Sequence, residues 1–569
     1  MNLSRLFSAP CRAVRALAIV TAAPFLCLPP MHAAPILTPV VRTGVQAPGE
    51  NAGVTFSGFN GFEIGNGGQV VFGAQVPSGL QGIWFNDGTT TVRAAKVATQ
   101  APGMPAGVNF SSVTLNASSG PYTDDAGRVA FRATLGTGTG GVTVDNNIGI
   151  WQGTAGALAP LYRTGSAAPD TAAGTVFSDF SGPVANRSGQ IAFQGFLRGG
   201  GATSTTDLGL WVNSPIAGLR LIAREGSVAV GAGGVRTYQD PGISGDVNPF
   251  SYLQVSDGGQ VVFAGRLNDD TRGLWIGDTN GTSLIALGNQ QAPGVPAGAL
   301  FSKTTLAQGG TRSYDLSAAG NFGFAALLVA GAGGVTSANQ HGLWARTAAS
   351  ISLIAREGSQ APGLPIGVNF SASGSNPFDG AEVNDAGDIS FKAHFAGIGI
   401  TAGNDSAIWT GLPGALQVVV REGDLAPGAP AGFLFGDLST VRPILNELGQ
   451  LAFVADAKNA AGTQTVSGLW LWDPSGGLMS VAMPGDVITL APGVVRTVSS
   501  AGANVDAAFA NGRALTDAGQ LVFGVVFTDG SQAILKAQVP EPATAALLGC
   551  GALLALQRRR RVLKPSCPN

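Results

Sequence analysis

Three arginine–glutamate pairs recur in this chain, Arg224-Glu225, Arg356-Glu357 and Arg421-Glu422, each followed by glycine. A guanidinium offers several donors in a fixed fork. Arg224, Arg356 and Arg421 are therefore candidates for a ring facing one ligand. The neighbouring glutamates offer a local role instead, strand-end ion pairing or solvation, worth little at a surface. Side-chain oxygens also recur, at Asn147, Asp207, Asp270, Asn404 and Asp405. Clustered oxygens can bind calcium, but short polar side chains before a strand more often shape hairpin turns. No stretch has the spacing of a calcium loop, and otherwise no cofactor is expected.

The rest of the reactive inventory is thin. The four cysteines are Cys11, Cys27, Cys550 and Cys567, all near the ends. The long region between them can hold no disulfide, thiolate zinc site or cysteine nucleophile. Residues 35–538 have two histidines, His341 and His394, which leaves little material for a zinc site or a Ser-His triad. No Gly-x-Ser-x-Gly, His-Glu-x-x-His or P-loop pattern occurs. Carboxylate pairs for glycoside chemistry remain open, because sequence does not give their separation in space. Net charge is −2 and charged residues are 12% of the chain, with no basic block in the body. Nucleic acid is not an expected partner.

The elements that would position these residues form a repeat. Hydrophobic content of 45% is ample for a core, and 85 glycines suit short strands joined by turns. Four signatures recur in order. The first is an apolar strand ending near Arg42, Arg163, Arg224, Arg356 and Arg421, often followed by Ala-Pro-Gly. The second centres on an aromatic: Phe56, Phe110, Phe177, Tyr238, Phe301, Phe370 and Phe435, with Val498 last. The third begins with Gly and reaches Phe72, Phe131, Phe193, Phe263, Phe324, Phe391, Phe453 and Phe523. The fourth is Gly-Leu/Ile-Trp, at Trp84, Trp151, Trp211, Trp275, Trp344, Trp409 and Trp470, with Leu535 ending the series. In Gly127–Leu135, Val129, Phe131, Ala133 and Leu135 alternate with Arg128, Ala130, Arg132 and Thr134. Period two marks a half-buried strand.

The phenylalanines of the third signature lie 59 to 70 residues apart. The gap from Trp to the next Arg-type position is nearly constant, whereas the gap from Phe to Trp runs from 12 to 20. A rigid strand pair with a variable loop before it is the expectation. Four-stranded sheets can bury both faces by radial packing, so the fold predicted is all-β: an eight-bladed β-propeller of four-stranded blades. The phase supports closure. The repeats open with a lone Arg-type strand near Pro39–Arg42 and end after Ala533–Lys536, so the N-terminal strand would complete the last blade and remove an edge. A β-solenoid and tandem β-sandwiches are the alternatives. Small residues such as Ala130, Ala192 and Ala452 would let blades approach.

Residues 1–34 have the order of a secretory signal: Arg5, Arg12 and Arg15, an apolar run from Ala16 to Leu28, then Ala33 and Ala34. A buried N-terminal helix is the alternative. Residues 35–538 carry the eight repeats. At the other end, Pro540-Glu541-Pro542 precedes an apolar stretch, Ala543 to Leu556, and the cluster Arg558, Arg559, Arg560, Arg561. The apolar stretch would be roughly 21 Å as a helix, short against a hydrocarbon core of about 30 Å. The arginines would stay cytoplasmic.

Residues 539–569 resemble the PEP-CTERM sorting signal of Gram-negative bacteria in the Pro-Glu-Pro motif, the apolar helix and the basic cluster, in that order. The resemblance implies an exosortase-type membrane transpeptidase as partner, transient membrane contact through the helix, and a body at the cell surface, in the outer envelope or in the extracellular matrix. A plain C-terminal membrane anchor is the alternative. The repeats also look like uncharacterised Gly-rich repeats of other proteins with this tail, which implies no activity. The expected function is a non-catalytic binding or adhesion scaffold that presents its loops to a polysaccharide, another protein or the cell envelope; the family resemblance implies exopolysaccharide or envelope components as partners. The alternative is an extracellular glycan-acting hydrolase or lyase with a symmetry-breaking site at the channel mouth. The long insertions at Gly226–Phe263 and Pro484–Phe523 are where to look for it.

Overall fold

The structure, a computed structural model, describes residues 34–77, 79–115, 120–214, 218–239, 249–306, 316–348, 350–372, 377–438, 441–500 and 513–539. These form eight antiparallel sheets arranged as an eight-bladed β-propeller, with no helix among the described residues. Blade 1 shows the pattern: Gly58–Ile64, Val70–Gln75, Gln81–Asn86 and Thr91–Lys96 pair in sequence order. The first strands face the axis. Gly58–Ile64 touches Tyr122–Thr123 of blade 2, which touches Val184–Ala185 of blade 3, which touches Phe250–Val255 of blade 4. The Arg-type strands therefore form the perimeter. In blades 2, 3, 6 and 7 the first strand is split into two pieces that both pair with the second strand, as Phe110–Val113 and Tyr122–Thr123 do.

The ring closes as the phase of the repeat predicts. Ile36–Arg42 pairs antiparallel with Gln532–Gln538, from Ile36 opposite Gln538 to Arg42 opposite Ala533. It thereby becomes the outer strand of blade 8 and removes the free edge.

The Phe and Trp signatures face each other across the second and third strands, Phe72 opposite Trp84 and Phe324 opposite Trp344. In seven blades these rings stack, with centroids 5.7 to 6.5 Å apart. The aromatic of the first strand meets the indole at a steep angle, as Phe301 does at 4.9 Å from Trp344. Such offset and edge contacts add to the large area each ring buries. All seven tryptophans are fully buried. Each indole N–H still finds an acceptor, the carbonyl of the turn that leads into its own blade: Pro48, Pro102, Pro169, Val230, Pro293, Pro362 or Pro427, at 2.8 to 3.2 Å. The Ala-Pro-Gly turn and the tryptophan are thus one device. Gly342 makes room for it, since a Cβ there would lie 2.4 Å from the Trp344 ring. Blade 8 has Leu535 in place of Trp, and its entry turn is a hairpin, Val487–Ala491 with Val494–Ser500.

Small residues on the second strand do let blades meet. Ala192 packs with Val255 and Val261 of blade 4, and Ala452 shares an apolar cluster with Leu515 and Leu521 of blade 8.

Candidate functional site: charges on the channel axis

The axial end of each blade is set by a tight turn between the first and second strands, such as Asn384-Asp385-Ala386-Gly387. Its fourth residue is glycine in all eight blades, with φ between +73° and +88°, a region that side chains with a Cβ disfavour. In blades 2 to 8 the first residue's side chain accepts a hydrogen bond from the amide of the fifth. Asp124 takes it from Arg128, Asn186 from Gln190 and Asn446 from Gln450, at 2.7 to 2.9 Å.

The second residue of the turn ties one blade to the next. The amide of Asn66 donates to Asp125, that of Arg187 to Asp257, that of Asp385 to Glu447, and that of Asp517 back to Asn66, at 2.5 to 3.0 Å. The mouth of the channel at this end is thus a relay of backbone donors and side-chain acceptors, running across the seam between blades 8 and 1.

Two arginines break the symmetry. Arg187 stands where other blades carry Asp125, Asp257, Asp385 and Asp517. Its Nη1 donates to the Ile64 carbonyl of blade 1 at 3.4 Å and its Nη2 to the Leu515 carbonyl of blade 8 at 3.1 Å. Arg513 of blade 8 donates to the Ala185 carbonyl of blade 3 and the Thr123 carbonyl of blade 2, both at 2.9 Å. Blades 8 and 3 are three steps apart in the ring, so these contacts are made across the axis.

Between the arginines lies Glu63, 0% exposed, on the strand Gly58–Ile64. Its Oε1 is 2.6 Å from Arg513 Nη1. Tyr122, Val184 and Ile444 take its place in blades 2, 3 and 7, and blade 6 carries Glu382, which accepts from the Leu445 amide of blade 7 at 2.6 Å. Burial pushes its carboxyl up to about 7, against the pull of Arg513 and Arg187. Burial also raises Asp257, again opposed by Arg513 and Arg187. Two carboxyls and two guanidiniums, drawn from blades 1, 3, 4 and 8, thus meet at the axis. The cluster can hold and release a proton, but its acid is closed off from any polymer in solvent.

The arginines proposed as a ligand ring lie elsewhere. Arg224, Arg356 and Arg421 end the outer strands of blades 3, 5 and 6. Each binds a carbonyl of its own blade, that of Thr206, Asn339 or Asn404, at 2.8 to 3.1 Å. The neighbouring glutamates are buried, not solvated at a strand end. Glu357 faces His341 Nδ1 at 2.8 Å, and Glu422 accepts from Ser406. Burial raises the Glu422 carboxyl, with the Ser406 bond opposing.

Two of the Asn and Asp residues before the Trp strand make local contacts. Asn404 accepts from the Thr401 amide at 2.8 Å and Asp270 pairs with Arg266. Among the described residues, no three His, Cys, Asp or Glu side chains are grouped to hold a metal ion. His394 is half-buried, with Nδ1 3.5 Å from Asp405.

Sequence reasoning did not single out Glu63, Arg187, Asp257 or Arg513. Two signals were there: a glutamate in an apolar first strand, and an arginine in a turn position otherwise rich in acids. Asp257 and Arg513 fall inside the two long insertions named above. Pro540, Glu541, Pro542 and Arg558 to Arg561 lie outside the described residues, as does most of the N-terminal segment.

The fold and its axial turns define an eight-bladed propeller. The chain belongs to a family of unknown function, DUF7453, whose model matches residues 32–239 and 234–546. No curated protein sequence matches it significantly. Similar solved structures include the Dos1 propeller (8% identity, 88% of this chain and 94% of that one, TM-score 0.34). Polysaccharide lyase Uly1 matches at 11% identity over 79% and 98% of the two chains, TM-score 0.33. Aleuria aurantia lectin in complex with Fucα1-6GlcNAc matches at 12% over 65% and 96%, TM-score 0.22. None of these transfers a ligand or a reaction to this chain.

Proposed function

We propose that the protein is an exported binding scaffold of the cell surface or matrix, held or sorted by its C-terminal segment, and that it presents its variable loops to exopolysaccharide or another envelope component. In this reading residues 1–34 are a signal peptide and 539–569 a sorting segment. Pro540-Glu541-Pro542 is the motif read by an exosortase-type transpeptidase, and Arg558 to Arg561 hold the segment's cytoplasmic end.

The observation that carries the reading is where the chain leaves the propeller. The Val539 amide donates to Gly519, and Lys536 Nζ to the Gly68 carbonyl, both residues of the axial turns. A tail anchored beyond Val539 therefore turns the closed, axial-turn face toward the membrane. The loops between second and third strands, which differ in length among blades, then point away from it. That is the orientation a presenting scaffold needs. The charged cluster does not favour catalysis, because its acid is fully buried, with Arg513 beside it.

The test is fractionation of cells making the intact protein and a Pro540→Ala/Glu541→Ala variant, with pull-down of extracted matrix polysaccharide by the purified protein. Surface exposure, retention of the variant at the inner membrane and saturable binding without breakdown of the polymer are expected. Cytosolic protein overturns the export reading, and turnover of the polysaccharide replaces the scaffold with a lyase or hydrolase.

A further inference from the structure

The ring is closed twice. At the perimeter, Ile36–Arg42 zips onto blade 8. At the axis, Arg513 of blade 8 reaches blades 2 and 3, and Arg187 of blade 3 reaches blades 1 and 8. Among the described residues the second closure has no counterpart in the other blades, and it is centred on the buried acid Glu63. We propose that Arg513 is an axial latch, and that the protonation state of Glu63 sets how firmly it holds the seam blades together.

The geometry makes the acid costly to charge. Glu63 has no exposure, and neither carboxyl oxygen has a well-aligned hydrogen bond, although Arg513 Nη1 lies 2.6 Å from Oε1. A buried carboxylate with so few donors is expensive unless its partners compensate fully. Arg513 is shared: Nη1 serves the Ala185 carbonyl as well as standing beside Glu63, and Nη2 serves the Thr123 carbonyl, so a stronger pull from Glu63 competes with both carbonyl contacts. The groups that act on this carboxyl are Arg513 from blade 8, Arg187 from blade 3, the Thr123 backbone amide from blade 2 and Asp257 from blade 4. Asp125 of blade 2 adds to the negative field on Asp257.

Neutral Glu63 fits the dry site. Ionised Glu63 needs solvation or the full attention of Arg513, and either loosens the carbonyl contacts on blades 2 and 3. A carboxyl raised from 4.5 to about 7 in the folded state gives stability that is fully present below 4.5 and lost as pH rises to about 7. The latch is tight in mild acid and loose above neutrality.

The test is native-state hydrogen exchange of the full-length protein from pH 5 to pH 8. Opening is corrected for intrinsic exchange and compared between residues 120–130 and 184–191, at the latch, and Ile389–Ala396 of blade 6, as internal control. The latch segments should open about tenfold or more readily at pH 8 than at pH 5, while the control is unchanged. Glu63→Gln, a neutral mimic, should keep latch protection high at both values. Arg513→Gln should lower it at both. A wild type whose latch segments show no pH dependence beyond the control overturns the proposal. So does a pH dependence that survives in Glu63→Gln or Arg513→Gln. If neither variant folds, the wild-type comparison still decides.

Discussion

Replacing Trp344 by Phe removes one atom group with a defined job. The indole N–H donates to the Pro293 carbonyl at 2.9 Å and ties the entry turn of blade 5 to its third strand. The ring is fully buried, stacked on Phe324 at 6.1 Å and met on its edge by Phe301. Phe keeps the six-membered part of the stack but leaves the Pro293 carbonyl without its donor, which costs about 1–3 kcal/mol. The lost ring volume leaves a void over Gly342, which has no side chain to fill it, and adds about 1–2 kcal/mol. The expected loss is therefore about 3 kcal/mol, a large share of a domain's stability. Urea denaturation at pH 7, followed by far-UV circular dichroism, reads it as a lower midpoint at unchanged slope. Trp409→Phe should behave alike, because its indole makes the same bond to Pro362 at 2.9 Å. A loss under about 0.5 kcal/mol in both variants would refute the claim that indole and turn form one unit.

Two further outcomes follow from the ties between and within blades. Asn384→Ala removes the acceptor for the Asp388 amide and the donor to the Asn446 carbonyl of blade 7; thermal melting should show a loss of about 1–2 kcal/mol. Glu50 touches Arg93 and Lys96, both at 2.5 Å. Burial would raise its carboxyl, but the bonds from Lys96 and Arg93 hold it below the usual value. Its contribution is present above the ordinary carboxyl range and fades as pH falls through the lowered value. Glu50→Gln should cost about 1 kcal/mol at pH 7 and nothing in strong acid, seen by comparing urea midpoints at the two values.

What the sequence made legible follows from size and period. A buried indole needs a fixed partner, so Trp84 to Trp470 recur at one position opposite the phenylalanines, and period two in Val129–Leu135 gives the strand and its faces. The lone strand before Arg42 and the missing one after Lys536 expose the closure, because an unpaired edge is costly. The axial cluster was not legible, because its contacts join residues hundreds of positions apart: Arg513 meets Thr123 and Ala185 only once the ring is closed. The Arg-Glu-Gly motif misled for a different reason. Adjacent opposite charges suggest a pair, but each strand ends at its arginine and the glutamate opens the following turn, so the two side chains meet different partners. Arg356 therefore takes the Asn339 carbonyl while Glu357 turns to His341. The Ala-Pro-Gly turn was visible as a repeat, yet its role as acceptor for the indole needed the three-dimensional packing. The split first strands of blades 2, 3, 6 and 7 left no mark in the spacing of the aromatics.

Closure of the ring by the N-terminal strand can be tested with one cross-link. Leu37 sits opposite Ala537 in the seam, at a Cα separation that antiparallel pairing puts within disulfide reach. The four natural cysteines, all near the ends, can be replaced by serine, and cysteines placed at 37 and 537. Under mild oxidation the folded protein should form an intramolecular bond in nearly every molecule, seen as faster migration on a non-reducing gel that reduction reverses. A folded monomer that keeps both thiols free, or links them only between molecules, would contradict the closed eight-bladed ring.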